Sequence, residues 1–147
     1  MKILVDGDGC PSKNIIEGVA REYNLEVVIY CDLNHYIKSE YSKIVVVDSG
    51  FQNVDIYLIN NTNLGDLVIT QDYGVAAMAL GKKALAINPK GFIYNNENID
   101  RLLFERHMSQ KARKAGKKTG THKKRTSADE ERLEKTLKKL IIDSLSG

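Results

Sequence analysis

Residues 2–13 read KILVDGDGCPSK, and in this stretch a short apolar run passes directly into two aspartates set beside glycines. Short apolar runs rich in β-branched residues are typical of strands that are buried on both faces of a parallel sheet. A helix is predicted next, because Pro11 suits a first helical turn and the apolar residues of 14–20 recur at helical spacing. A second apolar run follows at 26–31 (EVVIYC), so the chain opens with the strand, helix and strand unit of α/β folds.

The rest of the chain repeats this pattern. Strands are predicted at 2–5, 26–31, 44–47, 67–70 and 84–87, and further helical segments at 53–61, 73–80, 97–114 and 128–145. This alternation favours a three-layer α/β sandwich, with a central, mainly parallel sheet of about five strands and helices on both faces. We expect a domain over 1–114, a basic flexible connection over 115–127 and a C-terminal amphipathic helix over 128–147 that packs on the domain.

Length and composition fit one domain that is not built for a membrane. The chain has 147 residues, of which 42% are hydrophobic, and no apolar run reaches the roughly 18 residues that a membrane helix needs. The sequence turns acidic at Asp6, before the apolar core of a signal peptide is complete. Cys10 and Cys31 are too few for a disulfide framework, so both are expected to be reduced thiols. We therefore expect a cytoplasmic protein with no membrane partner.

The positive charge is concentrated in one segment. The net charge is +3, yet nine of the 22 basic residues lie within 106–125, where there is no Asp or Glu. A basic segment on an otherwise acidic body suits a polyanion such as nucleic acid. A solvated lysine-rich stretch without a partner explains the composition equally well, and the charge alone does not separate the two.

Aspartates follow four of the predicted strands. Asp6 and Asp8 follow the first strand, Asp32 the second, Asp48 the third and Asp72 the fourth. In open parallel sheets, ligands bind at the carboxyl ends of the strands, near the point where the strand order reverses. If the fourth strand lies beside the first, Asp6 and Asp72 are about 5 Å apart, and a hard divalent cation such as Mg²⁺ or Mn²⁺ relieves their repulsion. Asp32 and Asp48 lie farther out and are expected to be solvated loop residues.

Six short motifs span nearly the whole chain. They are DGDGCPSK at 6–13, VD at 54–55, GDLVITQD at 65–72, NPKGFIY at 88–94, NI at 98–99 and ERHMSQKARKAGKKTG at 105–120. In these motifs the chain resembles the YaiI/YqxD family of uncharacterised bacterial proteins, which is related to PIN-like domains. The resemblance implies a PIN-like fold of strand order 3-2-1-4-5, with acidic site residues after strand one, at a helix start before strand four and after strand four. In this sequence those positions are Asp6, Asp55 and Asp72, with Asp8 as an additional member.

PIN-like domains are typically metal-dependent ribonucleases, so the resemblance implies phosphodiester hydrolysis with RNA as the expected substrate. One or two Mg²⁺ or Mn²⁺ ions held by Asp6, Asp55 and Asp72 would polarise the scissile phosphate and activate a bound water. These three residues and Asp8 are the predicted catalytic residues. The basic segment would hold backbone phosphates with little sequence preference. The residues expected to make these contacts are Lys111, Arg113, Lys114, Lys117, Lys118, Lys123, Lys124 and Arg125.

Two other functions remain open on the sequence. ILVDGDG at 3–9 resembles the nucleophile loop of haloacid-dehalogenase-like phosphatases, in which Asp6 would attack phosphate and Asp8 would act as acid and base. In that superfamily a later Gly-Asp pair follows a strand at the site, whereas Asp66 precedes one here and is predicted to lie at the opposite end of the sheet. The second alternative is a non-catalytic RNA-binding protein with a vestigial acidic pocket. A nucleophilic role for Cys10 is disfavoured, because no histidine stands in a context that pairs with it.

Overall fold

The computed structural model describes residues 1–8, 10–35, 37–48, 53–114 and 124–146. Strands and helices largely alternate along these residues, as the apolar runs predict. The strands are β1 (Ile3–Asp6), β2 (Val27–Asp32), β3 (Lys43–Val47), β4 (Leu67–Ile69), β5 (Leu85–Ile87) and β6 (Ile93–Tyr94), and the helices are α1 (Lys13–Glu22), α2 (Val54–Asn60), α3 (Tyr73–Gly81), α4 (Asn96–Lys114) and α5 (Ser127–Ser146). None of the helices in this described part of the chain is long and apolar enough to cross a membrane.

The strands form one sheet in the order β3-β2-β1-β4-β5-β6. The first five strands are parallel, whereas β6 runs antiparallel to β5. The predicted α/β fold and the order 3-2-1-4-5 are therefore confirmed, and the structure adds a sixth strand to the five predicted. Sequence analysis missed β6 because its two residues are too short for an apolar run to indicate a strand.

A tight turn between β5 and β6 brings the last helix against the sheet. The Asn88 N–H donates to the carbonyl oxygen of Phe92 at 2.8 Å, and Gly91 has a left-handed backbone with φ of 90°. A Cβ at Gly91 would lie 2.6 Å from the backbone of Arg132, so glycine allows α5 to approach this turn closely. The Thr136 hydroxyl then donates to the carbonyl oxygen of Gly91 at 2.8 Å, which ties α5 to the turn.

Helices cover both faces of the sheet. On one face α2, α3 and α4 pack against side chains that include Leu4 and Val68, and on the other α1 and α5 pack against Ile3 and Ile69. Three apolar side chains of α5, one helical turn apart, are fully buried: Leu133, Leu137 and Ile141. Burying one such side chain stabilises the fold by about 1.5–3 kcal/mol. The C-terminal helix therefore contributes to the core rather than lying loosely on it.

The strand order reverses at β1, which lies between β2 and β4. All five parallel strands have their carboxyl ends at one edge of the sheet, and Asp6 and Asp72 follow the neighbouring strands β1 and β4 there. The helix α2 also starts at this edge, and it carries Asp55 in its first turn. We refer to the edge that carries Asp6, Asp8, Asp55 and Asp72 as the acidic edge.

The opposite edge holds Asp66, as its place before β4 predicts. Its carboxylate accepts hydrogen bonds from the Lys2 N–H at 3.1 Å, from Lys2 Nζ at 2.7 Å and from the Asn63 N–H at 2.8 Å. Burial raises the pKa of Asp66, but these donors outweigh it and hold the pKa below its usual range. Asp66 therefore has a structural role. It precedes β4, whereas Asp72 follows the other end of that strand.

Candidate functional site

Thr70 connects the two aspartates that follow β1 and β4. Its hydroxyl donates to Asp6 Oδ2 at 3.0 Å and accepts from the Asp72 N–H at 3.0 Å. Thr70 is buried, and its carbonyl oxygen accepts a further hydrogen bond from the Tyr94 hydroxyl at 3.1 Å. Because both its hydroxyl and its carbonyl oxygen are hydrogen-bonded, Thr70 fixes the relative positions of Asp6 and Asp72.

Asp72 is also the N-cap of α3. Its Oδ1 accepts from the N–H groups of Gly74 at 2.8 Å and Val75 at 3.2 Å, which satisfies two of the free donors at the start of the helix. Arg106 on α4 reaches the same oxygen, with Nη1 at 3.8 Å. The sequence QDYGV at 71–75 thus sets the orientation of the carboxylate through an ordinary helix cap.

Asp55 lies in the first turn of α2, where its backbone N–H donates to the side chain of the N-cap Asn53 at 2.8 Å. Burial raises the pKa of Asp55, and the negative charges of Asp72 and Asp8 raise it further. The carboxylate of Asp55 therefore lies close enough to Asp72 and Asp8 for their charges to act on it.

Asp6 is the most perturbed carboxyl group of the acidic edge. Burial is the main cause that raises its pKa from 3.8 to about 6, and the charges of Asp55 and Asp8 add to it, against the opposing hydrogen bond from Thr70. No ion pair joins Asp6 or Asp55 to a basic side chain within the described ranges. At Asp6 and Asp55 the acidic edge therefore carries negative charge that no basic side chain of the described residues neutralises.

A second group of ligand atoms lies beside these carboxylates. His35 Nδ1 is 2.7 Å from Asp32 Oδ1 and 3.1 Å from Asp8 Oδ1. Among the described residues, this is the one group of three or more candidate metal ligands whose atoms all lie within 4.8 Å of one another, so Asp6, Asp55 and Asp72 are spaced more widely. Asp32, which the sequence places among the solvated residues after the strands, is the last residue of β2, and its carboxylate contacts His35 and accepts a hydrogen bond from the Asn34 N–H at 2.9 Å.

The predicted phosphate-binding residues are only partly described. On α4, Lys111 is exposed, and the helix continues for eight residues, about 12 Å, beyond Arg106. Lys124 is exposed, whereas the half-buried Arg125 donates from Nη1 to the carbonyl oxygen of Pro89 at 2.8 Å. The remaining predicted contacts lie outside the described residues, or have side chains that do: Arg113, Lys114, Lys117, Lys118 and Lys123.

The two cysteines are free thiols, and neither is activated. Burial raises the pKa of the Cys10 thiol, although a backbone N–H at Ser12 and the charge of Arg125 oppose it. Burial likewise raises the pKa of Cys31, and the nearby carboxylates of Asp8 and Asp32 add to the rise. A thiolate nucleophile is therefore disfavoured at this edge.

Comparison with known proteins identifies the relatives of this chain. Residues 4–143 match the uncharacterised bacterial YaiI/YqxD family. A UPF0178 protein of Clostridium kluyveri is 58% identical over 143 residues, which cover 97% of this chain and 94% of that protein. A UPF0178 protein of Clostridium novyi is 59% identical over 141 residues, which cover 96% and 95%. Among solved structures, a variant of Rae1 (YacP) from Bacillus subtilis aligns with 99% of this chain and 98% of its own, with a TM-score of 0.44 and 17% identity.

Proposed function

The chain belongs to the uncharacterised YaiI/YqxD family, and we propose, from the geometry of its acidic edge, that it is a divalent-metal-dependent nuclease that hydrolyses phosphodiester bonds in RNA. The observation that carries this proposal is that Asp6 and Asp72, at the ends of the neighbouring strands β1 and β4, and Asp55, at the start of α2, lie at one edge of the sheet without a basic partner at Asp6 or Asp55 among the described residues. Burial and the neighbouring charges raise the pKa of Asp6 to about 6. A fold that keeps such a group ionised near neutral pH is stabilised when a cation binds there.

The donors of the acidic edge suit Mg²⁺ or Mn²⁺. Asp6, Asp55 and Asp72 offer carboxylate oxygens alone, which are the ligands that hard divalent cations prefer. Their oxygens do not all lie within 4.8 Å of one another, but Mg²⁺ keeps several of its waters and needs only one or two direct carboxylates. The ion would therefore be held by Asp6, Asp55 and Asp72, directly by one or two of them and through its waters by the rest, with Asp8 adding negative charge beside them.

A bound divalent ion supplies charge neutralisation at the phosphate and a water of lowered pKa. The protein supplies the positions of the groups around it. The Thr70 hydroxyl holds Asp6, and the start of α3 holds Asp72, so neither carboxylate has to reorganise when substrate binds. Arg106, 3.8 Å from Asp72, is the basic side chain closest to this pair among the described ion pairs, and it is placed to hold a substrate phosphate at the acidic edge.

The basic residues of 106–125 indicate the class of substrate. Arg106 lies at the acidic edge, and α4 carries the exposed Lys111 beyond it, on the same helix. A row of cations that leads away from a metal site suits a chain of phosphates, with binding that weakens as salt rises. Single-stranded RNA meets this requirement, because its backbone is flexible enough to bring a scissile phosphate to the acidic edge.

The proposal is tested by cleavage of a labelled single-stranded RNA by chelator-treated protein, with Mg²⁺, Mn²⁺ or neither added. We expect cleavage only with metal and a loss of at least about 100-fold in Asp72→Asn, which removes the charge while asparagine still caps α3. Asp55→Asn is expected to behave in the same way. Asp100→Asn, on the exposed surface of α4, is the matched control and should cleave like the wild type. Cleavage that needs no metal, or that survives Asp72→Asn, contradicts the proposal.

The same samples separate the two alternative functions. A phosphatase of the haloacid-dehalogenase type hydrolyses a small phosphomonoester and forms an aspartyl-phosphate at Asp6, which a PIN-like nuclease does not. A non-catalytic RNA-binding protein binds the RNA equally well in the wild type and in Asp72→Asn, without cleavage under any metal condition. Either result replaces the nuclease proposal.

A further inference from the structure

The group formed by Asp8, Asp32 and His35 differs from the rest of the acidic edge because it contains an imidazole nitrogen. We propose that these three residues form a binding site for a first-row transition-metal ion, and that this ion is Zn²⁺. The site goes beyond the proposed nuclease centre, because it adds Asp32 and His35, which are not among the predicted catalytic residues, to the shared Asp8, and because it takes a different class of metal. It is also testable without any measurement of catalysis.

The sheet itself brings the three side chains together. In the parallel pair of β1 and β2, Asp6 is opposite Tyr30. Asp32 ends β2, and the turn after β1 brings Asp8 to the same end of the sheet, where both carboxylates contact His35. The chain then turns after β2, where the Asn34 N–H donates to Asp32 Oδ1 at 2.9 Å and the His35 N–H donates to the Asp32 carbonyl oxygen at 3.2 Å. This turn directs His35 Nδ1 back between the two carboxylates.

The spacing of the ligand atoms is close to what a tetrahedral zinc ion requires. Ligands bound at about 2.1 Å around a tetrahedral ion are about 3.4 Å apart. His35 Nδ1 is 3.1 Å from Asp8 Oδ1 and 2.7 Å from Asp32 Oδ1, so these two contacts would have to lengthen by about 0.3 Å and about 0.7 Å. The side chain of His35 is about half exposed, at 53%, so the ring is free to make this movement and the site is open to an ion from solvent.

One carboxylate oxygen in the group lacks a hydrogen-bond donor. Asp8 Oδ1 is shielded from solvent, and among the residues that the structure describes no donor meets it with hydrogen-bond geometry. Nδ1 of the imidazole carries at most one hydrogen, so it can donate to only one of the two carboxylates, and its shorter contact is to Asp32. A buried carboxylate oxygen without a donor is costly, and a metal ion bound between Asp8, Asp32 and His35 would satisfy it.

The nitrogen ligand decides which metal the site takes. Imidazole suits Zn²⁺ and its neighbours in the first transition row, whereas Mg²⁺ prefers oxygen ligands and keeps its waters. Three protein ligands leave a fourth position of a tetrahedral ion to water, as in open zinc sites. The site formed by Asp8, Asp32 and His35 is therefore expected to discriminate against Mg²⁺, while the all-carboxylate group of Asp6, Asp55 and Asp72 accepts it.

The test is a titration of the chelator-treated full-length protein with Co²⁺, followed by its visible absorption spectrum and by displacement with Zn²⁺. We expect the spectrum of a four-coordinate ion with one nitrogen ligand, displaced by one equivalent of Zn²⁺ but not by millimolar Mg²⁺. His35→Gln should weaken Zn²⁺ binding by at least about 30-fold, since it removes one of three ligands. His107→Gln, on the exposed surface of α4, is the matched control and should bind like the wild type.

Two further measurements distinguish a failure of this proposal from a failure of the nuclease proposal and from misfolding of a variant. Asp72→Asn should retain Zn²⁺ affinity within about twofold even if it abolishes RNA cleavage, because Asp72 is not a ligand of this site. In the wild type, Zn²⁺ should shift the NMR signal of the His35 ring nitrogen Nδ1 and leave that of His107 unchanged. Equal Zn²⁺ affinity in His35→Gln and the wild type, or an unshifted His35 ring, overturns the proposal. The proposal is also overturned if Asp72→Asn loses Zn²⁺ binding while His35→Gln keeps it.

Discussion

Asp6→Asn is expected to make the metal-free protein more stable at pH 8. Asp6 lies half-buried at the end of β1, where burial, followed by the charges of Asp55 and Asp8, raises its pKa from 3.8 to about 6 against the hydrogen bond from Thr70. Asparagine keeps an oxygen that accepts the Thr70 hydrogen bond, which is 3.0 Å long, and removes the charge. The variant thus loses a repulsion without losing the contact that orients the side chain.

The magnitude follows from the pKa of Asp6. A rise from 3.8 to about 6 corresponds to about 3 kcal/mol, at about 1.36 kcal/mol for each tenfold change in proton affinity. The carboxyl group is partly solvated, so we expect about 1–2 kcal/mol after screening. Because the folded state binds this proton more tightly than the unfolded state, the cost is absent below pH 3.8, grows as the pH rises to about 6 and is complete above it.

Urea unfolding in EDTA at pH 4, 6 and 8 measures this effect. The free energy of unfolding of Asp6→Asn should exceed that of the wild type by about 1–2 kcal/mol at pH 8 and by little at pH 4, while Asp100→Asn stays within about 0.5 kcal/mol throughout. Mg²⁺ at about 100 times its Kd should then stabilise the wild type by about 2.7 kcal/mol and the variant by less, which reverses their order. The reasoning is refuted if Asp6→Asn is the less stable protein at pH 8 in EDTA, or if the difference does not change with pH.

Four other predictions concern the fold and the two groups of charges. Asp66→Asn should lower the free energy of unfolding by about 2 kcal/mol at pH 7 in urea, and the loss should shrink below pH 3.8, because the lowered pKa of Asp66 makes its contribution disappear on protonation. In metal-free protein, NMR titration should give His35 a pKa above 6.5 because of the hydrogen bond with Asp32, and Asp32→Asn should return it towards 6.5; equal values in the two proteins contradict the contact. Leu137→Ala should cost about 3 kcal/mol in urea unfolding, whereas a loss under about 1 kcal/mol contradicts the packing of α5. Arg106→Gln should weaken RNA binding and reduce the slope of log affinity against log salt by about one, and an unchanged slope excludes Arg106 from phosphate contact.

The sheet was predictable because its strands are buried on both faces. Such strands read as unbroken apolar runs, and the predicted bounds differ from those of β1 to β5 by one or two residues at most. The short strand β6 was not predictable, because it depends on the turn at Gly91 and on pairing with β5 rather than on its own two residues. The strand order came from the resemblance to PIN-like domains, since local sequence says little about which strands pair.

The acidic edge was predictable in part. The sequence shows which strands end in aspartate, and the rise per residue along β4 places Asp66 at the end of that strand away from Asp72. The ionisation of Asp6 was not predictable, because it depends on how deeply the side chain is buried and on where α2 places Asp55. These are properties of the packed molecule and leave no local signal.

The contact between Asp32 and His35 was missed although its residues are close in sequence. An Asp followed three residues later by His at the end of a strand is a signal that could have indicated it. The pairing depends on a turn that bends the chain after β2 back towards Asp8. Sequence spacing alone does not distinguish such a turn from a solvated loop.

The position of α5 on the sheet has a consequence for how the chain folds as it is made. The helix α5, which covers one face of β1, begins about 120 residues after that strand. Leu137 therefore covers Ile3 and its neighbours only after residues 127–146 have left the ribosome. At about 5–20 residues per second, a nascent chain spends several seconds or more with that surface open to solvent. Chaperones that bind apolar segments of emerging chains would have this time to act, and the emergence of α5 is the event that closes the surface.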